Sequence, residues 1–63
     1  GATIWLVVSN DLDVWEPSVH ATQQGAASFI AANMGEGWEE SGENEWARGD
    51  GTIVWLKEMK VLA

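Results

Sequence analysis

The 63-residue chain has no cysteine and no tyrosine, one proline, one histidine and only three basic residues. Without cysteine there is no disulfide and no thiolate metal site. The longest unbroken apolar run, Ile4 to Val8, is five residues, far short of the roughly 20 that cross a bilayer as a helix. No basic segment followed by an apolar one resembles a signal peptide, so the expected compartment is the cytoplasm, that of the host cell for a phage-encoded chain. A native chain opens with Met, so Gly1 is expected to be a cloning remnant. A chain of this length makes one small domain, burying only about 60% of the surface its unfolded form exposes. These features exclude a membrane-spanning helix, a disulfide scaffold, a multidomain enzyme and a disordered tail.

The scarcity of basic residues leaves a formal net charge of −7. Residues 1–46 carry Asp11, Asp13, Glu16, Glu36, Glu39, Glu40, Glu43 and Glu45, with no Lys or Arg. Residues 47–63 carry Arg48, Lys57 and Lys60 against Asp50 and Glu58. Binding nucleic acid requires clustered Lys and Arg that release phosphate counterions, so direct nucleic-acid binding is not expected. Anionic lipid headgroups are repelled for the same reason. A basic protein, a divalent cation or water remains as a neighbour. Acidity of this degree keeps a small apolar-rich chain dispersed, and a halophilic source also produces it. Its functional counterpart is phosphate mimicry, in which carboxylates on a rigid surface occupy a basic groove meant for nucleic acid.

Thr3 to Ser9 is β-branched, aromatic and apolar at successive positions, which predicts a central strand apolar on both faces. Asn10 to Asp13 is turn chemistry. Val14 to Ala21 is expected to return as a second strand, held to an edge by Pro17. Thr22 is a good helix N-cap. In the helix Gln23 to Met34, residues Ala26, Phe29, Ile30, Asn33 and Met34 share one face, widened by Ala27, Ala31 and Ala32. Gly35 is expected to end the helix in left-handed geometry. Glu36 to Asn44 reads as a loop. Asp50-Gly51 then predicts a two-residue hairpin turn that sets Trp46 opposite Trp55. The last strand is expected over Thr52 to Leu62. The expected fold is α+β, ββαββ, a four-stranded sheet with one helix packed on one face, spanning residues 1–63 as a single acidic domain.

The five tryptophans, Trp5, Trp15, Trp38, Trp46 and Trp55, are a surplus for this length. One helix covers one sheet face, yet both long strands are apolar on both sides. Trp fills small cores efficiently and is also enriched at interfaces. The interface expectation is that Trp5, Trp46 and Trp55 form a sheet face through which the chain pairs with itself or a partner. The partner-binding expectation centres on Glu36, Trp38, Glu39, Glu40, Glu43 and Glu45, joined by Asp11 and Asp13, with Trp38 as apolar anchor. His20 and Ser18 are close enough in sequence to approach on one strand face, but no G-x-S-x-G elbow accompanies them. Asp11, Asp13 and Glu16 lack the glycine and the following glutamate of an EF-hand loop. No catalytic residue, metal site or cofactor is expected.

The opening strand Ile4-Trp5-Leu6-Val7-Val8, the strand running into a helix cap at Val19-His20-Ala21-Thr22, and the closing segment Trp55-Leu56-Lys57-Glu58-Met59-Lys60-Val61 resemble small uncharacterised proteins of bacteriophage type. The likeness covers most of the chain; Gln23-Gln24-Gly25 departs from it, lacking a charged helix surface. The resemblance implies a phage or mobile-element origin and brings no established activity. Phages carry small acidic proteins that block nucleic-acid enzymes of the host, and by analogy this chain suits such a role. The sequence thus points to a non-enzymatic protein-interaction module, an inhibitor offering carboxylates to a basic, nucleic-acid-binding surface. The alternative is an assembly protein forming a homodimer through its Trp-bearing sheet face; a small metal-binding protein or enzyme comes third.

Overall fold

The computed structural model describes residues 2–62, and the expectation for Gly1 lies outside them. In chain order the elements are β1 (Thr3–Ser9), β2 (Ser18–His20), α1 (Gln23–Asn33), β3 (Trp38–Gly42), β4 (Glu45–Arg48) and β5 (Ile53–Lys60). The strands form one antiparallel sheet in the order β2-β1-β5-β4-β3. The fold is α+β, as the sequence predicts, with a fifth strand. Glu36 to Asn44 is not a loop throughout: it contains β3, so the element order is ββαβββ. Glutamates are poor strand formers, and they are tolerated here because β3 is an edge whose side chains reach water. Asn44, in left-handed geometry at φ 55°, turns the chain from β3 into β4.

The β1–β5 ladder of seven residue pairs, Thr3↔Lys60 through Ser9↔Val54, is the spine of the sheet. β1 has neighbours on both sides, so its backbone pairs along both edges, while of its two apolar faces only one meets the helix. At the end of β1 the Asn10 side chain stands in for a strand partner. Its Oδ1 accepts from Ile53 N at 2.8 Å, and its Nδ2 donates to Gly51 O at 3.0 Å. The next segment is a tight turn, with Asp13 N donating to Asp11 Oδ1 at 3.1 Å and Trp15 N donating to Asp11 O at 3.0 Å. β2 is consequently three residues long rather than the eight of Val14 to Ala21, and Pro17 stands just outside it.

Thr22 caps the helix as expected: Gly25 N donates to Thr22 Oγ1 at 2.9 Å. Ala26 and Ile30 are fully buried, and Phe29 and Met34 pack on their flanks. Ala27, Ala31 and Ala32 are exposed, so they do not widen the packed face; they support the helix through propensity alone. The helix does not end in a left-handed Gly35. Met34 closes it in extended geometry (φ −82°, ψ 116°), and positive φ first occurs after the helix at Gly37.

The β4–β5 hairpin differs from expectation by one residue, and the difference matters. Gly49-Asp50-Gly51 is a three-residue loop: Gly51 N donates to Arg48 O at 3.0 Å, and Arg48 N donates to Thr52 O at 2.9 Å. Gly51, at φ 95°, supplies the left-handed residue that such a loop needs. Trp46 therefore lies opposite Val54, and Glu45 opposite Trp55. A one-residue slip moves side chains to the other face, so Trp46 and Trp55 lie on opposite sides of the sheet.

The core sits on the helix side, formed by Val7, Trp15, Ala26, Ile30, Val54 and Leu56. Trp15 meets Phe29 and Trp38 edge-on, with ring centroids 6.2 and 6.0 Å away. The helix packs on β1, β2 and β5. Trp15, Trp38 and Trp46 extend the covered region beyond it.

Candidate functional site: the helix-free sheet face and its acidic edge

Alternation along paired strands fixes what each face carries. Trp5, Val7, Val54, Leu56 and Trp46 point to the helix side. The opposite face receives Ile4, Leu6 and Val8 from β1, Val19 from β2, and Ile53, Trp55 and Met59 from β5. No secondary-structure element among the described residues lies over it. Val19 is 62% exposed and Met59 48%, while Ile4, Leu6, Val8, Ile53 and Trp55 are half-buried by their lateral neighbours. The pairs Ile4↔Met59, Leu6↔Val19 and Val8↔Trp55 make the strip continuous across three strands.

Trp55 is held in place on this face. Its Nε1 donates to Glu45 Oε1 at 2.7 Å, and the other oxygen of that carboxylate accepts from Ser41 Oγ at 2.9 Å. The Lys57 ammonium stands 5.9 Å from the indole centroid. An aromatic side chain so restrained loses little freedom on docking.

The three tryptophans expected to share a face do not do so: Trp5 and Trp46 pack against the core on the helix side, and Trp55 alone lies on the other. The acidic residues surround β3 and its turns without sharing one face. Glu39 lies opposite Ala47 on the helix-free side, and Glu40 lies opposite Trp46 on the helix side. Glu36 and Glu43 are exposed in the segments flanking β3. Glu45 is half-buried, with both carboxylate oxygens occupied. Trp38 is half-buried between Trp15 and Arg48, whose guanidinium carbon lies 5.2 Å from the Trp38 ring centroid. Asp11 and Asp13 belong to the turn after β1. On the helix-free face, Glu39 and Glu45 thereby lie toward β3 and β4, and Lys57 lies beside Leu6.

Among the described residues the one ion pair joins Arg48 Nη2 to Asp50 Oδ2 at 2.7 Å. Asp50 Oδ1 also accepts from Thr52 N at 3.0 Å. The Arg48 guanidinium, then the Thr52 amide, hold the Asp50 carboxyl well below the usual carboxylate range. These contacts fasten the hairpin loop. Ser18 Oγ and His20 Nε2 do approach, at 2.9 Å, and the imidazole lies against Phe29 with centroids 4.9 Å apart. No carboxylate is hydrogen-bonded to that ring among the described residues, and no group of three or more potential metal ligands converges there. No described helix is long and apolar enough to cross a membrane.

Trp55 on the open face is legible in the sequence, whereas composition and spacing do not single out its neighbours Val8, Val19 and Met59. The signal that finds them is the strict alternation of β1 and β5 combined with the three-residue hairpin loop. No protein-family model, no curated protein and no solved structure matches the chain.

Proposed function

We propose that this protein is a non-enzymatic interaction module whose docking surface is the helix-free face of its sheet. One observation carries the reading. Seven apolar side chains form a continuous strip that no described element covers, with a restrained Trp55 at its β4 margin. A contiguous exposed apolar patch marks a docking site, and a rigid aromatic within it, here Trp55, is the usual kind of energetic anchor. Glu39 and Glu45 border the strip on one side, which favours a partner with basic groups at the matching rim.

The test is binding of an apolar fluorescent dye to dilute native protein. Saturable binding that Leu6→Lys and Val8→Lys remove, with the far-ultraviolet circular dichroism unchanged, supports the reading. Failure of the native chain to bind dye contradicts it.

A second reading rests on the edge strand. Glu39 and Glu40 project to opposite sides of β3, and neither carries an ion pair among the described residues. A basic, nucleic-acid-binding surface could receive this edge, as an inhibitor of host nucleic-acid enzymes requires. Titration with a lysine-rich peptide, followed by tryptophan fluorescence, then shows binding that weakens steeply with salt. The Glu39→Lys/Glu40→Lys variant loses it. Binding that ignores both salt and the charge reversal contradicts this second reading.

A further inference from the structure

On the helix side of the sheet, apart from the open face, a cleft of about 270 Å³ lies between the segment after β1 and the C-terminal half of α1. Val14, Trp15, Glu16, Phe29 and Asn33 line it. We infer that this cleft binds a small organic cation, a quaternary ammonium group, with Trp15 as floor, Phe29 as wall and Glu16 as counter-charge. The inference is independent of docking on the helix-free face.

The aromatic rings carry the argument. Trp15 is buried and Phe29 half-buried. Their planes stand at 75°, with centroids 6.2 Å apart. Two rings so placed make a corner in which a guest meets ring surface on two sides. Each ring is backed by another: Trp38 meets Trp15 edge-on at 6.0 Å, and His20 lies against Phe29 at 4.9 Å. Walls fixed in this way lose little freedom when a ligand arrives. The face of an aromatic ring is the negative part of its quadrupole, and recognition of quaternary ammonium groups is the usual function of aromatic corners.

The charge around the cleft has the matching sign. Glu16 carries no ion pair among the described residues. Asn33 is the last residue of α1, so the cleft opens at the negative end of the helix dipole, and the last turn holds no basic residue to offset it. Residues 1–46 contain no Lys or Arg. Arg48 is paired with Asp50 and stands against Trp38 rather than in the cleft.

The lining also decides which cation. Calcium requires about six to eight oxygen ligands, whereas the side chains here offer the Glu16 carboxylate and Asn33 Oδ1, and Asn33 Nδ2 already donates to Phe29 O at 2.8 Å. No group of three or more potential metal ligands is found among the described residues. A primary ammonium is strongly hydrated and brings three N–H donors, for which aromatic rings supply no oxygen acceptor. A quaternary ammonium has no N–H donor to satisfy, so ring surface and one carboxylate suffice. The volume lies below the roughly 300–1,000 Å³ of sites for drug-sized ligands, which suits a single small cation or one alkylated side chain.

The experiment is a nuclear magnetic resonance titration of the full chain with choline, at constant ionic strength through the millimolar range. It reads the Trp15 indole N–H and the Asn33 side-chain amide. The expected result is saturable shifts with choline and none with its uncharged isostere, the alcohol in which carbon replaces the nitrogen. Glu16→Gln and Phe29→Leu each weaken binding by about tenfold, the worth of one well-placed cation–aromatic contact or counter-charge. Asn33→Lys guards against a folding defect in Phe29→Leu: it places an ammonium at an exposed helix end, where the dipole favours it, and abolishes choline binding while the circular dichroism is unchanged. A peptide carrying trimethyllysine then separates the two sources of the group. Tighter binding than choline assigns the cation to a partner's side chain, and weaker binding assigns it to a free small molecule. Equal shifts from the uncharged alcohol, equal binding of the unmodified lysine peptide, choline binding that ignores Glu16→Gln and Asn33→Lys, or no saturable choline shift would each overturn the inference.

Discussion

Asp50 shows how one residue can fasten a turn. Its carboxylate accepts from Arg48 Nε and Nη2 and from the Thr52 amide. Its pKa is depressed, so the stability it contributes is fully present above its unfolded-state value, near 4. That contribution is lost as pH falls through the still lower folded value. Urea unfolding midpoints should therefore fall as pH drops below about 4, and Asp50→Asn should lose less over that interval than the parent. An equal acid sensitivity in Asp50→Asn would remove Asp50 from the account. Gly51 acts at the same scale. At φ 95° it holds a conformation that L side chains rarely adopt. A substitution there strains the loop that sets the register of β4 on β5, and thereby the face on which every β4 side chain lies. The Asp-Gly pair announces a hairpin, but it does not by itself distinguish a two-residue loop from a three-residue one. That distinction lies in Gly49 and in the Arg48–Thr52 closing pair, and it separates Trp46 from Trp55.

Local rules predict the elements best where nothing competes with them. The Thr22 cap, the buried Ala26 and Ile30, and the doubly apolar β1 all follow from spacing and residue type. Thr22→Ala should cost about 1 kcal/mol, because it leaves the Gly25 amide without its side-chain acceptor. Ile30→Ala should cost about 2–4 kcal/mol by opening a cavity under the helix. Chemical denaturation measures both, and equal losses would mean that Ile30 is not packed as described. β3 is illegible in the sequence because its composition is that of a solvated segment. It becomes a strand through tertiary pairing, Trp38 opposite Arg48 and Glu40 opposite Trp46, with Trp38 drawn against Trp15. Its charges also protect an otherwise free edge from pairing with other strands. Ala27, Ala31 and Ala32 show the converse: apolar residues at plausible helical positions that meet only water.

At the scale of the molecule, eleven helical residues cover part of one side of a five-stranded sheet. The other side keeps an apolar strip, bordered by Glu39 and Glu45 toward β3. The tryptophan surplus and the excess of acid are visible in the composition. Their arrangement is not, because it depends on strand order and register. Trp15, Trp38 and Trp46 serve the core side, Trp55 faces outward, and Glu45 restrains Trp55 while Glu36, Glu39, Glu40 and Glu43 lie in and beside β3. The apolar face and the acidic edge are therefore neighbouring features of one surface, joined at Glu45. Docking through an apolar face persists at high salt whereas charge-driven binding of a basic partner weakens, so ionic strength separates them even before any partner is identified.

The central claim is that the helix-free face is open in the single chain. Methyl nuclear magnetic resonance of dilute protein, with a soluble paramagnetic probe, tests it most directly. The account predicts strong broadening of Ile4, Leu6, Val8, Val19 and Ile53 methyl signals, while Val7, Ile30, Val54 and Leu56 remain sharp. Equal protection of both groups at dilution would contradict it, since the face would then be closed by the chain itself.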